Sequence, residues 1–320
     1  SSFILAGNGL ITNNRGITGA GVCVIDPKLQ QGRGECQTAF TMNGGTISNN
    51  TAGSSGGGIY SYTNHVELNA GEIRGNTADQ GGGIYSEGNS SHYSTLHLNN
   101  AIITENTAEQ GGGMWFCPTG EGTTYIANGS AIFNNSATGA GDDIAAATNT
   151  SHTLSLANRM VGGGSILWYK DGGIYSVGSS AHTSVSTDVP RCGQEGADSS
   201  ALAIQDYAQP ISLKSVVKQT AVDLAKQKVT LYITGNAATR GGGIGSNGGI
   251  TIGEDDTSLK TITIHKVWPQ NAGALPDSVT LHLFSGAYEI DTVTLTAADG
   301  WTKTLINIPA DLTDFIVMED

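Results

Sequence analysis

The sequence predicts an all-β chain. A right-handed parallel β-helix is expected over residues 1–257, interrupted by a helix-containing excursion near 187–228. Part of an antiparallel β-sandwich follows over 258–320. Three observations carry this reading. A phrase containing Gly-Gly-Gly recurs along the first 250 residues, its apolar pieces are strand-sized, and the texture changes near Thr261 to alternating strands at about ten-residue spacing.

The phrase is clearest as Ile47-Ser48-Asn49-Asn50-Thr51-Ala52 leading to Gly56-Gly57-Gly58-Ile59-Tyr60. It returns as Ile73-Arg74-Gly75-Asn76-Thr77-Ala78 before Gly81-Gly82-Gly83-Ile84-Tyr85, and as Ile103-Thr104-Glu105-Asn106-Thr107-Ala108 before Gly111-Gly112-Gly113-Met114-Trp115. Between the central asparagines the spacing is 26 residues (50 to 76) and then 30 (76 to 106). A period of that size marks a solenoid in which each repeat is one coil. Val66-Glu67-Leu68 and Leu96-His97-Leu98 alternate with period two, as half-buried strands do. Three short strands and three turns then make one coil, with Ile59, Ile84 and Met114 stacked inward. Glycine suits the tight corners, where a side chain would meet the next coil. Asn tolerates left-handed backbone, so Asn50, Asn76 and Asn106, with Asn135 and Asn236 in other copies, are expected to stack as an amide ladder.

Fainter copies extend the array. One is Ile11-Thr12-Asn13-Asn14 with Gly19-Ala20-Gly21-Val22, and another is Ile132-Phe133-Asn134-Asn135 with Gly139-Ala140-Gly141. The last is Ile233-Thr234-Gly235-Asn236 with Gly241-Gly242-Gly243-Ile244. Ile166-Leu167-Trp168-Tyr169 is strand-like with degraded spacing. Within the excursion, Ser212 to Lys228 is predicted as an amphipathic helix from the spacing of Leu213, Val216, Val217, Val222 and Leu224.

Composition narrows the classes. Gly is 46 of 320 residues with only 7 Pro, so the chain is neither collagen nor a proline-rich linker. A net charge of −13 with no basic stripe argues against nucleic acid as a partner. No stretch is long enough for a membrane span, and Ser1-Ser2-Phe3 lacks a signal-like start, so the chain reads as a mature or excised, monomeric part of a larger one. Cys23 and Cys36 could pair locally, and Cys117 and Cys192 could tie the excursion to the barrel; free thiols are the alternative. Nothing in the pattern calls for a metal or a cofactor.

The segments Lys266-Val267-Trp268, Pro276-Asp277-Ser278-Val279-Thr280-Leu281, Thr292-Val293-Thr294-Leu295, Gly300-Trp301 and Ile316-Val317-Met318-Glu319-Asp320 resemble the collagen-adhesin B-type repeat domain, a stalk module of Gram-positive surface proteins. The preceding array resembles the glycine-rich β-helix region of large bacterial surface proteins with polymorphic-outer-membrane-type repeats. The resemblance implies an extracellular, cell-wall location and an immunoglobulin-like stalk. It also implies an isopeptide bond in which Lys266 matches the nucleophile and Glu319 the assisting acid. The acceptor Asn belongs on a strand after Glu319, so the stalk domain is expected to be truncated here.

The function expected is therefore non-catalytic: an adhesin-like protein presenting a surface to a host glycan or matrix protein. Tyr60, Tyr85 and Trp115 follow the inward Ile or Met, so alternation turns them outward as an exposed aromatic strip for sugar rings. The alternatives are a carbohydrate-active β-helix enzyme or a pure spacer. An enzyme would need carboxylates gathered on one face, and the candidates are Asp142-Asp143, the equivalent turn residues Asp79 and Glu109, and the scattered Glu87 and Glu105. His65, His92 and His97 lie in or beside outer strands without a matched nucleophile.

Overall fold

Alternating apolar residues place one side of nearly every strand in a core, and the computed structural model is accordingly built from sheets. It describes residues 2–25, 38–62, 65–88, 95–98, 100–117, 121–126, 131–146, 151–156, 159–170, 174–176, 179–181, 190–192, 202–204, 211–252 and 259–320. Three sheets have parallel cores, and each Gly-Gly-Gly repeat contributes a strand to all three, forming one rung of a stack. In the second sheet the order is Arg15–Thr18, Thr51–Ser55, Thr77–Gln80, Ala237–Arg240, Thr107–Gln110, Ser136–Ala140. The third sheet repeats it with Val22–Ile25, Ile59–Tyr62, Ile84–Glu87, Ile244–Ser246, Met114–Phe116 and Ile144–Ala146.

The rungs therefore do not stack in chain order. The last repeat, 231–252, is inserted between the repeats at 65–87 and 95–116. Leu231–Thr234 pairs with 71–74 on one side and with 101–104 on the other. The first sheet shows how this is accommodated. Thr95–Leu98 lies directly on 65–68, whereas Ala101–Thr104 lies one level higher, above the inserted strand. The inserted chain finishes its turn as Gly249–Ile252, which covers 95–98 and is covered by 124–126.

Like residues superpose through the stack. Ile59, Ile84, Ile244, Met114 and Ile144 form one fully buried inward row in register. Ile47, Ile73, Ile233, Ile103 and Ile132 form another. Burying an aliphatic side chain contributes about 1.5–3 kcal/mol, and these rows repeat that gain on each rung.

Beyond the rung at 121–146 one more strand, Ser151–Leu156, pairs parallel with Glu121–Ile126, and Leu202–Ile204 then pairs antiparallel with it. Ile211–Val217 pairs antiparallel with Ile144–Ala146 and with Ile166–Lys170. The helix expected from Ser212 is thus shorter: it spans Gln219–Lys228, and the preceding residues are strand. Ser212, Leu213 and Ser215 are buried beside the last rung, and the β-branched pair Val216-Val217 favours an extended backbone there. The helix adds Ala221, Val222 and Ala225 to the core of the stack. Much of the expected excursion, and the boundary at 257–258, lie outside the described residues.

Residues 259–320 form two antiparallel sheets, Leu259–His265 with Thr302–Pro309, and Tyr288–Thr296 with Ser278–Ser285 and Phe315–Glu319. Their shared core includes Ile264, Leu281, Leu283, Val293, Leu295 and Trp301, and it takes in Leu224 from the helix. Arg159, itself buried, donates to Gly163 O (2.9 Å) and to Asp291 Oδ2 (2.7 Å), joining the two parts. Lys218 adds an ion pair to Glu289 at 2.9 Å. No helix among the described residues is long and apolar enough to cross a membrane.

Candidate functional site

The corner asparagines form one continuous hydrogen-bonded column. Asn14 Nδ2 donates to Asn50 Oδ1 (2.8 Å), Asn50 to Asn76, Asn76 to Asn236, Asn236 to Asn106 and Asn106 to Asn135 (each 2.9 Å). Each receiving Oδ1 also accepts the backbone N–H of the donor residue. The ladder differs from its expected form in two ways. Asn236, not Asn106, follows Asn76. The left-handed residue is also the one before the ladder asparagine: Asn13, Asn49, Gly75, Gly235, Glu105 and Asn134, with φ between 54° and 63°. The ladder asparagines themselves point inward, buried from Asn50 to Asn135.

The column ends on Asp143. Asn135 Nδ2 donates to its Oδ1 (2.8 Å) and the Ser215 N–H to its Oδ2 (2.7 Å). Asp143 occupies the third-glycine position of its repeat, and the reason is steric. A Cβ on Gly83 would stand 3.1 Å from Asn236 Nδ2, and one on Gly113 would stand 2.9 Å from Asn135 Nδ2, so every covered rung needs glycine there. With no further parallel rung, the carboxylate fills the slot that the next asparagine would take. Asp142 acts alongside, its Oδ1 accepting the Ala137 N–H at 2.9 Å and its Oδ2 pairing with Lys214 at 2.9 Å. Burial pushes the Asp143 carboxyl up from 3.8 to about 6, against the hydrogen bonds from Ser215 and Asn135, which favour the charged form. These two carboxylates close the end of the stack.

The remaining acidic candidates are not gathered. Thr239 of the inserted rung stands between Asp79 and Glu109, as the flanking pairs Ala78–Ala238–Ala108 and Gln80–Arg240–Gln110 require. Glu87 accepts the Tyr60 hydroxyl at 2.6 Å. Glu105 sits at an exposed left-handed corner. Burial lowers the pKa of His65, His97 lies opposite Glu67, and His92 is outside the described residues. Among the described residues, no group of three or more His, Cys, Asp or Glu side chains is placed to hold a metal ion.

The aromatic strip is corrected by the structure. Tyr60, Tyr85 and Trp115 do point away from the stack core, but they are only 7%, 3% and 3% exposed. Tyr60 and Tyr85 stack at 6.3 Å with planes 6° apart. The next position along the row is Gly245, and Tyr85 Cδ2 lies 2.7 Å from where a Cβ there would be. The ring thus fills the notch left by a residue with no side chain, and Arg240 stands 5.7 Å from the Trp115 ring centroid. Burial raises the pKa of both tyrosines, with Glu87 adding to it. Cys117 is half-buried against this cluster. Cys23 is a free thiol, Cys36 lies outside the described residues, and Cys192 sits opposite Trp168 on the strand Pro190–Cys192.

In the second part, Lys266 Nζ bonds Glu319 Oε2 and stands 4.9 Å from the centroid of the Trp268 ring, which meets Trp301 edge-on at 5.0 Å. The two residues that the stalk resemblance pairs are therefore in contact.

No protein-family model, curated protein or solved structure matches the chain.

Proposed function

We propose that this chain is a non-catalytic, presenting segment of a bacterial cell-surface, adhesin-like protein. In this reading residues 1–257 wind as a right-handed parallel β-helix. Residues 258–320 belong to a collagen-adhesin B-type stalk domain, with Lys266 and Glu319 as its isopeptide pair. The observation that carries the proposal is the joint: helix Gln219–Lys228 places Ala221, Val222 and Ala225 in the core of the stack and Leu224 in that of the sandwich. A helix shared by two cores transmits orientation from one part to the other, as a protein that projects a surface requires. The use of Asp142 and Asp143 to close the stack also counts against the enzyme reading.

A glycan and matrix-protein array, read with reducing-sugar release from each glycan bound, tests this. Binding without release is expected. Release of sugar would replace the proposal with the enzyme reading.

A further inference from the structure

The rung at 231–252 separates two rungs that are successive along the chain, 65–87 and 95–116. Through the inserted strands these two face one another in register. Leu231 lies between Gly71 and Ala101, Ala237 between Thr77 and Thr107, and Ile244 between Ile84 and Met114. In all three sheets the outer partners are 30 residues apart (71 to 101, 77 to 107, 84 to 114). One drop by a single strand spacing, about 4.8 Å, would therefore align every pair at once.

The two surfaces also match. A Cβ on Gly82 would stand 2.4 Å from Ala237 O and 2.7 Å from Gly242 O, and one on Gly242 would stand 2.4 Å from Thr107 O and 2.6 Å from Gly112 O. The rung at 95–116 thus receives Gly242 as the inserted rung receives Gly82, and it has the shape to receive Gly82 directly. Asn76 donates to Asn236 and Asn236 to Asn106, each at 2.9 Å, so Asn106 offers Asn76 the acceptor that Asn236 does. Ile73 would meet Ile103, Thr77 would meet Thr107 and Ile84 would meet Met114, just as Ile47 meets Ile73, Thr51 meets Thr77 and Ile59 meets Ile84. Tyr85, which now fills the notch at Gly245, would stack on Trp115 as Tyr60 stacks on Tyr85.

The first sheet holds part of this arrangement already. Thr95–Leu98 lies directly on 65–68, and only Gly249–Ile252 separates it from 124–126. Chain length permits both arrangements, because the 29 residues from Asn106 to Asn135 climb one level.

We propose that 231–252 is a releasable wedge. When it is drawn out, residues 101–146 descend one level onto 71–87 and the remaining rungs close in chain order. Release then shortens the stack without opening it. The inserted state makes one more interface between rungs and is the resting one.

The test places cysteines at 77 and 107 of the full chain and reads disulfides by peptide mapping. With the wedge seated they are two strand spacings apart and stay reduced. Asn236→Leu with Gly243→Val should unseat it, since a Cβ on Gly243 would stand 2.6 Å from Gly113 O and 3.1 Å from Asn106 Nδ2. Three results are then expected together: a disulfide between 77 and 107, trypsin cleavage after Arg240, and a far-UV strand signal that is largely kept. Adding Gly83→Val should abolish the disulfide, because Gly83 lies against Asn106 in the closed stack. A chain that loses its strand signal, stays uncut after Arg240 or fails to join 77 to 107 overturns the proposal. So does a disulfide that Gly83→Val leaves unchanged.

Discussion

At the scale of single residues, the stack depends on buried amides: Asn50, Asn76, Asn236, Asn106 and Asn135 each have both Oδ1 and Nδ2 hydrogen-bonded. Asn236 is the telling case, because it both receives from Asn76 and donates to Asn106. Asn236→Ala strands groups on two rungs at once. An unsatisfied buried polar group costs about 1–3 kcal/mol, so the variant should lose about 3 kcal/mol in urea denaturation. Asn14→Ala, at an exposed position bonded within the column to Asn50, should lose less than half as much. Equal losses would mean that the column is not the stabilising unit.

Asp143 gives the column a pH dependence of definite sign. Its carboxyl titrates near 3.8 when the chain is unfolded and at about 6 in the fold. The folded chain therefore holds the extra proton between those values. The stability it contributes is full below about pH 4 and is lost as pH rises through about 6, a change of about 3 kcal/mol. Denaturation midpoints measured from pH 4 to 7 should fall for the native chain, and that slope should vanish in Asp143→Asn. Parallel pH profiles would sink the assignment.

At the scale of elements, the order of rungs is the point to test, and it is also what the sequence could not disclose. The repeat itself was legible: period-two strands, an asparagine corner and three glycines define a rung from the residues alone. The four rungs with Asn50, Asn76, Asn106 and Asn236 share the corner isoleucine, the asparagine and three glycines, however, so each is a chemically adequate neighbour for the others. The 30-residue step from 76 to 106, against 26 before it, is the one hint that the chain climbs an extra level there. Neighbouring parallel strands lie about 4.8 Å apart and disulfides need Cα atoms within about 7 Å. Cysteine pairs at 77 with 237, and at 237 with 107, should therefore oxidise. A pair at 77 with 107, two spacings apart, should not, and peptide mapping by mass spectrometry distinguishes the outcomes.

Other misreadings share a cause. The segment from Ser212 to Val217 has apolar spacing compatible with helix or strand, and the last rung beside it decides for strand. The outward direction of Tyr60, Tyr85 and Trp115 followed from alternation. Their burial did not, because it depends on Gly245 arriving from a distant repeat. Asp143 had a visible signal in retrospect: it is an acid at a position where the covered rungs have glycine.

At the scale of the whole molecule, the junction makes one cooperative body of two architectures. Arg159 is buried and bound to Asp291, whose side chain is itself only 14% exposed. Arg159→Ala leaves that carboxylate unpaired, and a loss of about 3 kcal/mol is expected, seen as a lower denaturation midpoint. Two separate transitions already present in the native chain would contradict a joint of this kind.

The inserted rung also decides how the molecule bears tension. In most stacks, a pull on the end of the chain peels away the outermost turn, which is held on one side. Here the turn nearest the sandwich along the chain lies in the middle, gripped by hydrogen-bonded strands above and below. Drawing it out must break both sets together, while the turns beyond it carry no load. Single-molecule stretching between a handle on the strand Thr77–Gln80 and one on the C-terminal strand Phe315–Glu319 should therefore show one large opening force for this turn rather than a ladder of small ones.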